Sequence, residues 1–262
     1  MSAEYLMAGQ QSELGRLQLQ SRVWEPAGRA LLARLPPGTG RRALDVGCGA
    51  MGWLRVLGAW VGSSGSVVGT DINQELLASA AAFVAAEALT SVELIEDDLF
   101  ASALSPGSFD LVHARFQLAP IGRAPEQLVS YRRLVRPGGW LVLEEPDAAS
   151  WHFNPPARVA ETLIGLILDA FRAGGGDFDA GRSLRSHLVG LGIQPSLDAH
   201  VLALPPGHPY LRLPLQFAES LAPRIEAIVG RDALASLRTE VETELADPER
   251  WGTTFTLIQA YG

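Results

Sequence analysis

The amino-acid sequence predicts an α/β fold with a mostly parallel, seven-stranded sheet and helices on both of its faces. From residue 42 onwards, short apolar segments alternate with amphipathic helical segments, which is the pattern that βαβ units produce. The chain has 262 residues, of which 47% are apolar and 19% charged, a composition typical of a large globular domain. The same composition argues against disorder.

The predicted elements follow from the spacing of apolar residues. Helical spacing over residues 12–35 predicts an N-terminal helical part, in which Pro26 is expected to separate two helices. The core is predicted to contain strands at 43–46, 66–70, 92–95, 109–114, 140–143, 195–204 and 253–259, and helices at 52–61, 73–89, 125–135, 155–171, 183–191, 211–229 and 231–245. We expect a cap over residues 1–40 and a core over residues 41–262, with helical lid insertions at about 150–180 and 205–248.

The charged residues and the single cysteine exclude several kinds of chemistry. Basic residues number 21 and acidic residues 29, so the net charge is −8, which disfavours nucleic acid and anionic membranes as partners. Every basic residue is arginine, so the chain has no lysine amine for a Schiff base, a pyridoxal phosphate or a P-loop. Cys48 alone cannot form a disulfide within the chain or a multi-cysteine metal site, and no metal is expected.

The distribution of apolar residues predicts neither a transmembrane helix nor a signal peptide. The sequence contains no run of 18 apolar residues, and residues 1–20 lack the apolar core of a signal peptide. We therefore expect a soluble, cytoplasmic protein.

A glycine-rich turn after the first predicted strand marks the expected ligand site. Residues 47–52 fit the pattern GxGxxG, and Asp71 ends the next strand at the distance expected of a ribose ligand. The pattern alone fits a dinucleotide and an adenosyl ligand equally well. Asp45 favours the second, because a carboxylate beside the turn repels a pyrophosphate but suits a ligand with an ammonium and a sulfonium group. After the third strand, Asp98 and the backbone N–H of Leu99 are placed to meet the adenine edge.

With these residues in place, the chain resembles the class I S-adenosylmethionine-dependent methyltransferases. The resemblance covers roughly residues 41–145 and is carried by LDVGCG at 44–49, VGTDI at 68–72, the acidic pair at 97–98, FDLVHAR at 109–115 and LVRPGGWLVL at 134–143. It implies a Rossmann-like sheet and S-adenosyl-L-methionine as the cofactor. Residues in the N-terminal part and in 145–155 are also similar to a bacterial and archaeal branch that acts on small molecules.

The resemblance implies roles around the nucleoside part of the cofactor. Gly47 and Gly49 would contact its methionine and ribose portions, and Asp71 would accept hydrogen bonds from both ribose hydroxyls. Ile72 would pack on the adenine ring, whose edge would be bound by Asp98 and Leu99.

Three further residues are expected at the methionine end. Arg115, just after the fourth strand, would pair with the carboxylate of the cofactor, with a surface position as the alternative. Tyr5 and Gln20 of the cap would close over the methionine portion, with a role in helix packing as the alternative for both.

An oxygen or nitrogen acceptor would also need a general base. His152 is the first candidate, because it lies in an aromatic cluster at the start of an insertion, where it would form a wall of the acceptor site. Asp147, Glu144 and Glu145, at the end of the fifth strand, are rival candidates. For each histidine of the chain, a purely structural role is the alternative.

These observations predict an enzyme that moves a methyl group to an O, N or C atom of a small, partly apolar acceptor. The apolar helices of the insertions would cover the acceptor, although they could instead form the interface of a homodimer. Two other functions keep the same glycine motif. One is a family member that uses S-adenosylmethionine as an electrostatic element without transferring its methyl group, and the other is a nicotinamide-dependent oxidoreductase.

Overall fold

A computed structural model describes residues 11–262, and a seven-stranded sheet forms their centre. The strands are β1 (Arg42–Val46), β2 (Ser66–Asp71), β3 (Val92–Glu96), β4 (Phe109–Arg115), β5 (Val135–Asp147), β6 (His152–Asn154), β7 (Ser196–His200), β8 (Ala203–Leu204), β9 (Trp251–Thr253) and β10 (Thr256–Tyr261). The order in the main sheet is β3-β2-β1-β4-β5-β10-β7. Strands β1 to β5 pair in parallel, and β10 is antiparallel to both of its neighbours. The predicted, mostly parallel seven-stranded sheet is confirmed.

Helices connect most of these strands. They are α1 (Gln11–Leu32), α2 (Leu54–Val61), α3 (Gln74–Ala86), α4 (Leu118–Ile121), α5 (Ala124–Leu134), α6 (Arg158–Ala173), α7 (Leu184–Gly190), α8 (Leu213–Ser220), α9 (Ala222–Val229) and α10 (Arg231–Leu245). Among the described residues, none of the helices combines the length and the apolarity needed to span a bilayer.

Alternate residues of the central strands bury their side chains on opposite faces of the sheet. Ala43 belongs to one apolar cluster together with Leu57 of α2, whereas its neighbour Leu44 belongs to a second cluster together with Leu128 of α5. Helices therefore cover both faces, as the sequence predicts.

Helix α1 corrects the expectation that Pro26 divides the N-terminal part. The helix continues through Pro26, although the proline removes one backbone hydrogen bond. Trp24, Ala27 and Leu31 bury a common apolar stripe on both sides of the proline. Burial of this stripe outweighs the local cost, because packing rather than propensity supplies most of the stability of a helix.

Two predicted elements after the fifth strand are each divided. The predicted strand over residues 195–204 forms two strands, of which β7 joins the main sheet and β8 joins a separate antiparallel sheet ordered β6-β9-β8. The predicted helix over 211–229 breaks between α8 and α9. Pro223 lies in the first turn of α9, where its missing N–H is tolerated, so a new helix begins there.

A third apolar cluster joins helix α1 to the segments after β5, which we call the lid (α6, α8 to α10, the small sheet and the turns that flank them). Trp24 of α1 is fully buried, and its indole N–H donates a hydrogen bond of 3.2 Å to the Tyr210 hydroxyl. Its ring also packs on Phe255 at a centroid distance of 5.4 Å. Trp24 thus fastens the cap helix to the lid.

Replacement of Trp24 by alanine is expected to lower the free energy of unfolding by about 3–5 kcal/mol, because it leaves a large cavity and an unpaired hydroxyl. Chemical denaturation followed by fluorescence or circular dichroism measures the change. Arg22→Ala, an exposed position on the same helix, is the matched control and should change stability by less than about 0.5 kcal/mol. Equal stabilities for the two variants would contradict this account of the cap.

Candidate active site

A cavity of about 560 Å³ lies where the parallel strands end, at the edge where open α/β sheets bind ligands. Its walls include residues of the glycine turn, the ends of β2 and β4, the cap helix α1, and the lid helices α6, α8 and α9. Residues of α1 and of the lid helices thus lie around a cavity at the carboxyl ends of the strands, where the sequence predicts the cap and the lid.

The glycine turn presents open backbone to this cavity. Gly47 and Gly49 both line it. Gly49 has φ +55, and a Cβ built on it would have only the Leu17 side chain within 4 Å, at 3.8 Å. Its exposed side therefore faces free space, where a ligand can approach the backbone closely, so the turn fits an adenosyl group.

Gly52, the last residue of the turn, is required to be glycine for a different reason. It has φ +43, and a Cβ at this position would overlap the Asp45 carboxylate and lie 2.8 Å from the carbonyl oxygen of Cys48. The absence of a side chain lets Asp45 Oδ2 accept the N–H of Trp53 at 2.6 Å, directly before α2 begins. Gly52 thus lets Asp45 join the end of β1 to the start of the helix.

Asp71 lies at the end of β2 with its carboxylate turned towards the turn. Its Oδ2 accepts the N–H of Gly49 at 2.9 Å, and its Oδ1 accepts the N–H of Asn73 at 2.9 Å. Burial raises the pKa of Asp71 above its ordinary value, although these backbone donors partly offset the effect. A carboxylate has about four acceptor sites, so Asp71 keeps capacity for a ribose hydroxyl beyond its backbone donors. The next residue, Ile72, is 46% exposed and lines the cavity.

The acidic pair after β3 lines the same cavity. Asp98 Oδ1 accepts the N–H of Phe100 at 2.9 Å, which orders a single helical turn and leaves the second carboxylate oxygen without a bond to the described residues. Leu99 follows it in the cavity wall, and the Arg123 guanidinium lies 3.8 Å from the centre of the Phe100 ring. The structure thus brings Asp98 and Leu99 together with Asp71, as predicted.

A buried group of charges lies under the turn. His113 of β4 lies between two carboxylates: its Nδ1 is 2.7 Å from Asp45 Oδ1, and its Nε2 is 3.1 Å from Glu144 Oε2. The imidazole also stacks on the Trp53 ring at 3.8 Å. Sequence reasoning placed His113 at the ligand-binding edge but missed these partners, because the register of three strands brings them together.

Arg115 is buried beside this group, so the alternative prediction of a surface position is wrong. It is 8% exposed and lines the cavity. Its Nη2 donates to Ser21 Oγ at 3.1 Å, but its Nη1 has no hydrogen-bond partner among the described residues. Nη1 lies 3.8 Å from Glu144 Oε2, beyond hydrogen-bond distance. A buried guanidinium with an unused donor at a cavity wall fits an anionic group such as a ligand carboxylate.

The cap contributes Gln20, whereas Tyr5 lies outside the described residues. Gln20 is buried, lines the cavity and accepts a hydrogen bond of 2.9 Å from Arg16. Arg16 also pairs with Glu13, which in turn accepts the hydroxyl of Ser220 in the lid. The packing role and the predicted place beside the cavity therefore coexist in Gln20.

Phenylalanine side chains form the end of the cavity under the lid. The members of this phenylalanine wall are Phe116, Phe171, Phe178, Phe217 and Phe255. Their rings pack edge to face, with centroid distances between 5.3 and 5.8 Å. Sequence reasoning predicted apolar lid helices but not these residues, which come from segments far apart in the chain. The only signal available was the apolar excess of the insertions.

The predicted general bases do not reach the cavity, and this part of the sequence interpretation is wrong. His152 is exposed on the three-residue strand β6, and its Nε2 lies 3.0 Å from the carbonyl oxygen of Ala149. Strand alternation explains the error, because Trp151 and Phe153 turn inwards and therefore His152 turns outwards. Asp147 is likewise absent from the cavity wall and is held by Arg182 at 2.7 Å.

The two rival carboxylates are buried and bonded to the protein. Burial raises the pKa of Glu145 to about 7, although the backbone N–H groups of Gln117, Leu118 and Ala119 oppose this shift. Burial also acts to raise the pKa of Glu144, but His113 and Arg115 outweigh it and lower that pKa. Neither carboxylate lines the cavity.

Comparisons with known proteins agree with the adenosyl site that this geometry indicates. A family model described as a methyltransferase domain matches residues 43–139. Nocamycin O-methyltransferase of Saccharothrix syringae is 30% identical over 240 residues, which cover 87% of this chain and 79% of that protein. The chain belongs to the class I S-adenosylmethionine-dependent methyltransferases. Its cofactor is S-adenosylmethionine, and the oxidoreductase alternative is thereby set aside.

Two further similarities show how far the likeness extends. Demethylmenaquinone methyltransferase of Shouchella clausii is 34% identical over 106 residues, and the match spans 40% of this methyltransferase and 45% of the relative. The YcgJ protein of Bacillus subtilis superimposes with a TM-score of 0.60 at 14% identity, over 90% of this chain and 98% of that one. The match to the demethylmenaquinone methyltransferase is thus confined to part of the chain, whereas the fold of YcgJ is shared over most of it.

Gly52→Ala tests the geometry of the glycine turn. The new methyl group would displace Asp45 from Trp53 at a position with positive φ, so we expect a loss of more than about 1 kcal/mol in the free energy of unfolding. Binding of S-adenosylhomocysteine should weaken as well. Gly15→Ala in α1, where a Cβ meets nothing within 4 Å, is the matched control and should be neutral or slightly stabilising. Calorimetry and denaturation of both variants check this, and an unperturbed Gly52→Ala protein would refute it.

Proposed function

We propose that this methyltransferase moves the methyl group of S-adenosylmethionine to a small, partly apolar molecule held under the lid. The observation that carries the proposal is that one continuous cavity runs from the glycine turn to the phenylalanine wall. The relative at 30% identity is named for O-methylation of nocamycin, which supports a small molecule as the acceptor. Arg224, which makes no ion pair with another described residue, lines the same cavity and supplies a polar side to the acceptor site.

The proposed cofactor site follows the geometry of the turn. Asp71 would accept the two ribose hydroxyls, Ile72 would cover one face of adenine, and Asp98 with Leu99 would bind the adenine edge. The open backbone of Gly49 leaves room for the ribose between them.

The methionine portion would lie nearer the cap. Arg115 would bind its carboxylate through the unused Nη1, and Gln20 would border it from helix α1. Asp45 would contribute negative potential near the ammonium group while remaining bonded to Trp53 and His113. We propose residues 1–40 as the cap that closes this end, with Tyr5 among its contacts, and residues 41–262 as the core with its lid insertions.

The chemistry that the cofactor supplies when bound is an activated methyl group on a sulfonium. The residues of this chain would position the acceptor in line with that group and exclude water from it. The phenylalanine wall serves both purposes, since it is apolar and its rings pack against one another. Catalysis would thus depend on orientation, and neither His152 nor Asp147 takes part.

Turnover with methyl-labelled S-adenosylmethionine tests the proposal directly. The purified protein is incubated with a panel of small phenols, enols, carboxylic acids and amines, and both labelled product and S-adenosylhomocysteine are quantified. Formation of both in equal amounts supports methyl transfer. A converted acceptor with intact S-adenosylmethionine would instead identify the non-methylating alternative, and a preference for polar macromolecules would contradict the proposed acceptor.

Asp71→Ala is expected to weaken binding of S-adenosylhomocysteine by about 1.5–3 kcal/mol, the range for hydrogen bonds to a charged group. This corresponds to roughly a ten- to hundredfold rise in the dissociation constant measured by calorimetry. Glu93→Ala on the exposed side of β3 removes the same charge away from the cavity and should leave binding unchanged. An unaltered dissociation constant in a folded Asp71→Ala protein would remove Asp71 from the ribose site.

Phe178→Leu is expected to raise the KM of an identified acceptor on the order of tenfold, because the smaller side chain opens the apolar wall. The dissociation constant of S-adenosylhomocysteine should stay the same, since the substitution lies away from the glycine turn. Phe83→Leu in α3, outside the cavity, is the matched control. A change in cofactor affinity with no change in acceptor KM would place Phe178 at the wrong end of the site.

A further inference from the structure

We propose that His113 is a positioning residue for the cofactor: it holds the glycine turn through Asp45, and it keeps Arg115 available to the ligand by binding Glu144. The inference rests on the proposed position of the cofactor in this cavity. It concerns a residue that the proposed chemistry does not otherwise use.

The first half of this role lies on the side of β1. Asp45 and His113 are direct cross-strand partners of β1 and β4, so their side chains leave the sheet together. Asp45 binds the imidazole with one oxygen and the N–H of Trp53 with the other. The Trp53 ring in turn stacks on the imidazole with an interplanar angle of 13°. His113 therefore supports both the carboxylate that anchors the turn and the residue that precedes α2.

The second half lies on the side of β5. Glu144 Oε1 accepts a hydrogen bond of 2.6 Å from Gln259, and its Oε2 faces both the His113 imidazole at 3.1 Å and Arg115 Nη1 at 3.8 Å. The imidazole occupies the nearer place, so Arg115 stops short of a hydrogen bond. Without His113, a small movement would bring Arg115 onto Glu144 and consume the donor that is now unused.

The charge of His113 follows from its neighbours. Asp45 on β1 and Glu144 on β5 offer only acceptors when ionised, so both imidazole nitrogens act as donors and the ring is an imidazolium. Within residues 11–262 the remaining charged neighbour is Arg115 on β4, and Trp53, just before α2, covers the ring. Burial alone would lower the pKa of His113, but hydrogen bonds and charges from Asp45 and Glu144 outweigh it and raise that pKa above its ordinary value. The group then holds two negative and two positive charges.

The test compares two ligands in calorimetry. S-adenosylhomocysteine carries the amino-acid portion, whereas methylthioadenosine has the same nucleoside without it. His113→Phe keeps an aromatic ring for stacking but removes both hydrogen bonds and the charge, so we expect S-adenosylhomocysteine to bind about ten- to a hundredfold more weakly. Methylthioadenosine should lose less, because its binding depends on the glycine turn that Asp45 anchors but not on Arg115. His187→Phe in α7 is the matched control and should bind both ligands as the wild type does.

The outcomes separate this inference from the proposed function. A wild-type protein that binds neither ligand would defeat the proposed cofactor site itself. Wild-type binding with an unchanged His113→Phe protein, or with equal losses for both ligands, would overturn the positioning role alone. A merely structural role predicts the equal losses.

A measurement on the unmodified protein keeps the inference testable if His113→Phe does not fold. Nitrogen-15 NMR should show both ring nitrogens of His113 protonated at pH 7. The affinity for S-adenosylhomocysteine should decline as the pH rises through the raised pKa of His113, because Asp45 and Glu144 then lose their shared counter-charge. A neutral ring at pH 7 would overturn the inference.

Discussion

Four buried ionisable side chains at the carboxyl ends of β1, β4 and β5 set the geometry of the cavity. Asp45 and Glu144 lie on opposite sides of His113, and Arg115 completes the group next to the ligand space. Each of these charges would cost several kcal/mol to bury alone. Together they are tolerated, and each one restricts where the others can lie. The glycine turn, the start of α2 and the unused donor of Arg115 all take their positions from this group.

The cavity changes its chemistry along its length, and Phe116 lies at the transition. This residue has φ +54, a backbone conformation that costs energy for a bulky residue such as phenylalanine. Its N–H donates to the carbonyl oxygen of Glu144 at 2.9 Å, and its ring packs on Phe255 of the wall. These contacts, with Glu144 on one side and the phenylalanine wall on the other, keep Phe116 in its strained conformation. Acidic side chains border one end of the ligand space, and apolar rings border the other.

The sequence predicts the parts of the fold and site whose determinants are local. The glycine turn, Asp71 and Asp98 each follow a strand within a few residues, so strand periodicity and motif spacing suffice to find them. The small sheet has strands of two or three residues, too short to show a period. The sequence predicts His152 at the acceptor wall for the same reason, since nothing local shows which of its neighbours are buried. The partners of His113 and the phenylalanine wall arise from strand register and from segments far apart in the chain.

The position of β10 has a consequence for the order in which the protein can assemble. Among the described strands, β7 pairs with the main sheet through β10 alone. Gln259 of β10 donates a hydrogen bond to Glu144 Oε1. Residues 256–261 are synthesised after the whole lid. On the ribosome β1 to β5 can therefore pair before β7 has a partner in the sheet. Such long-range pairing is slow. The hydrogen bond from Gln259 to Glu144 is therefore among the last contacts around the glycine turn to form, whereas the strands that carry Asp45, His113 and Arg115 are synthesised long before it.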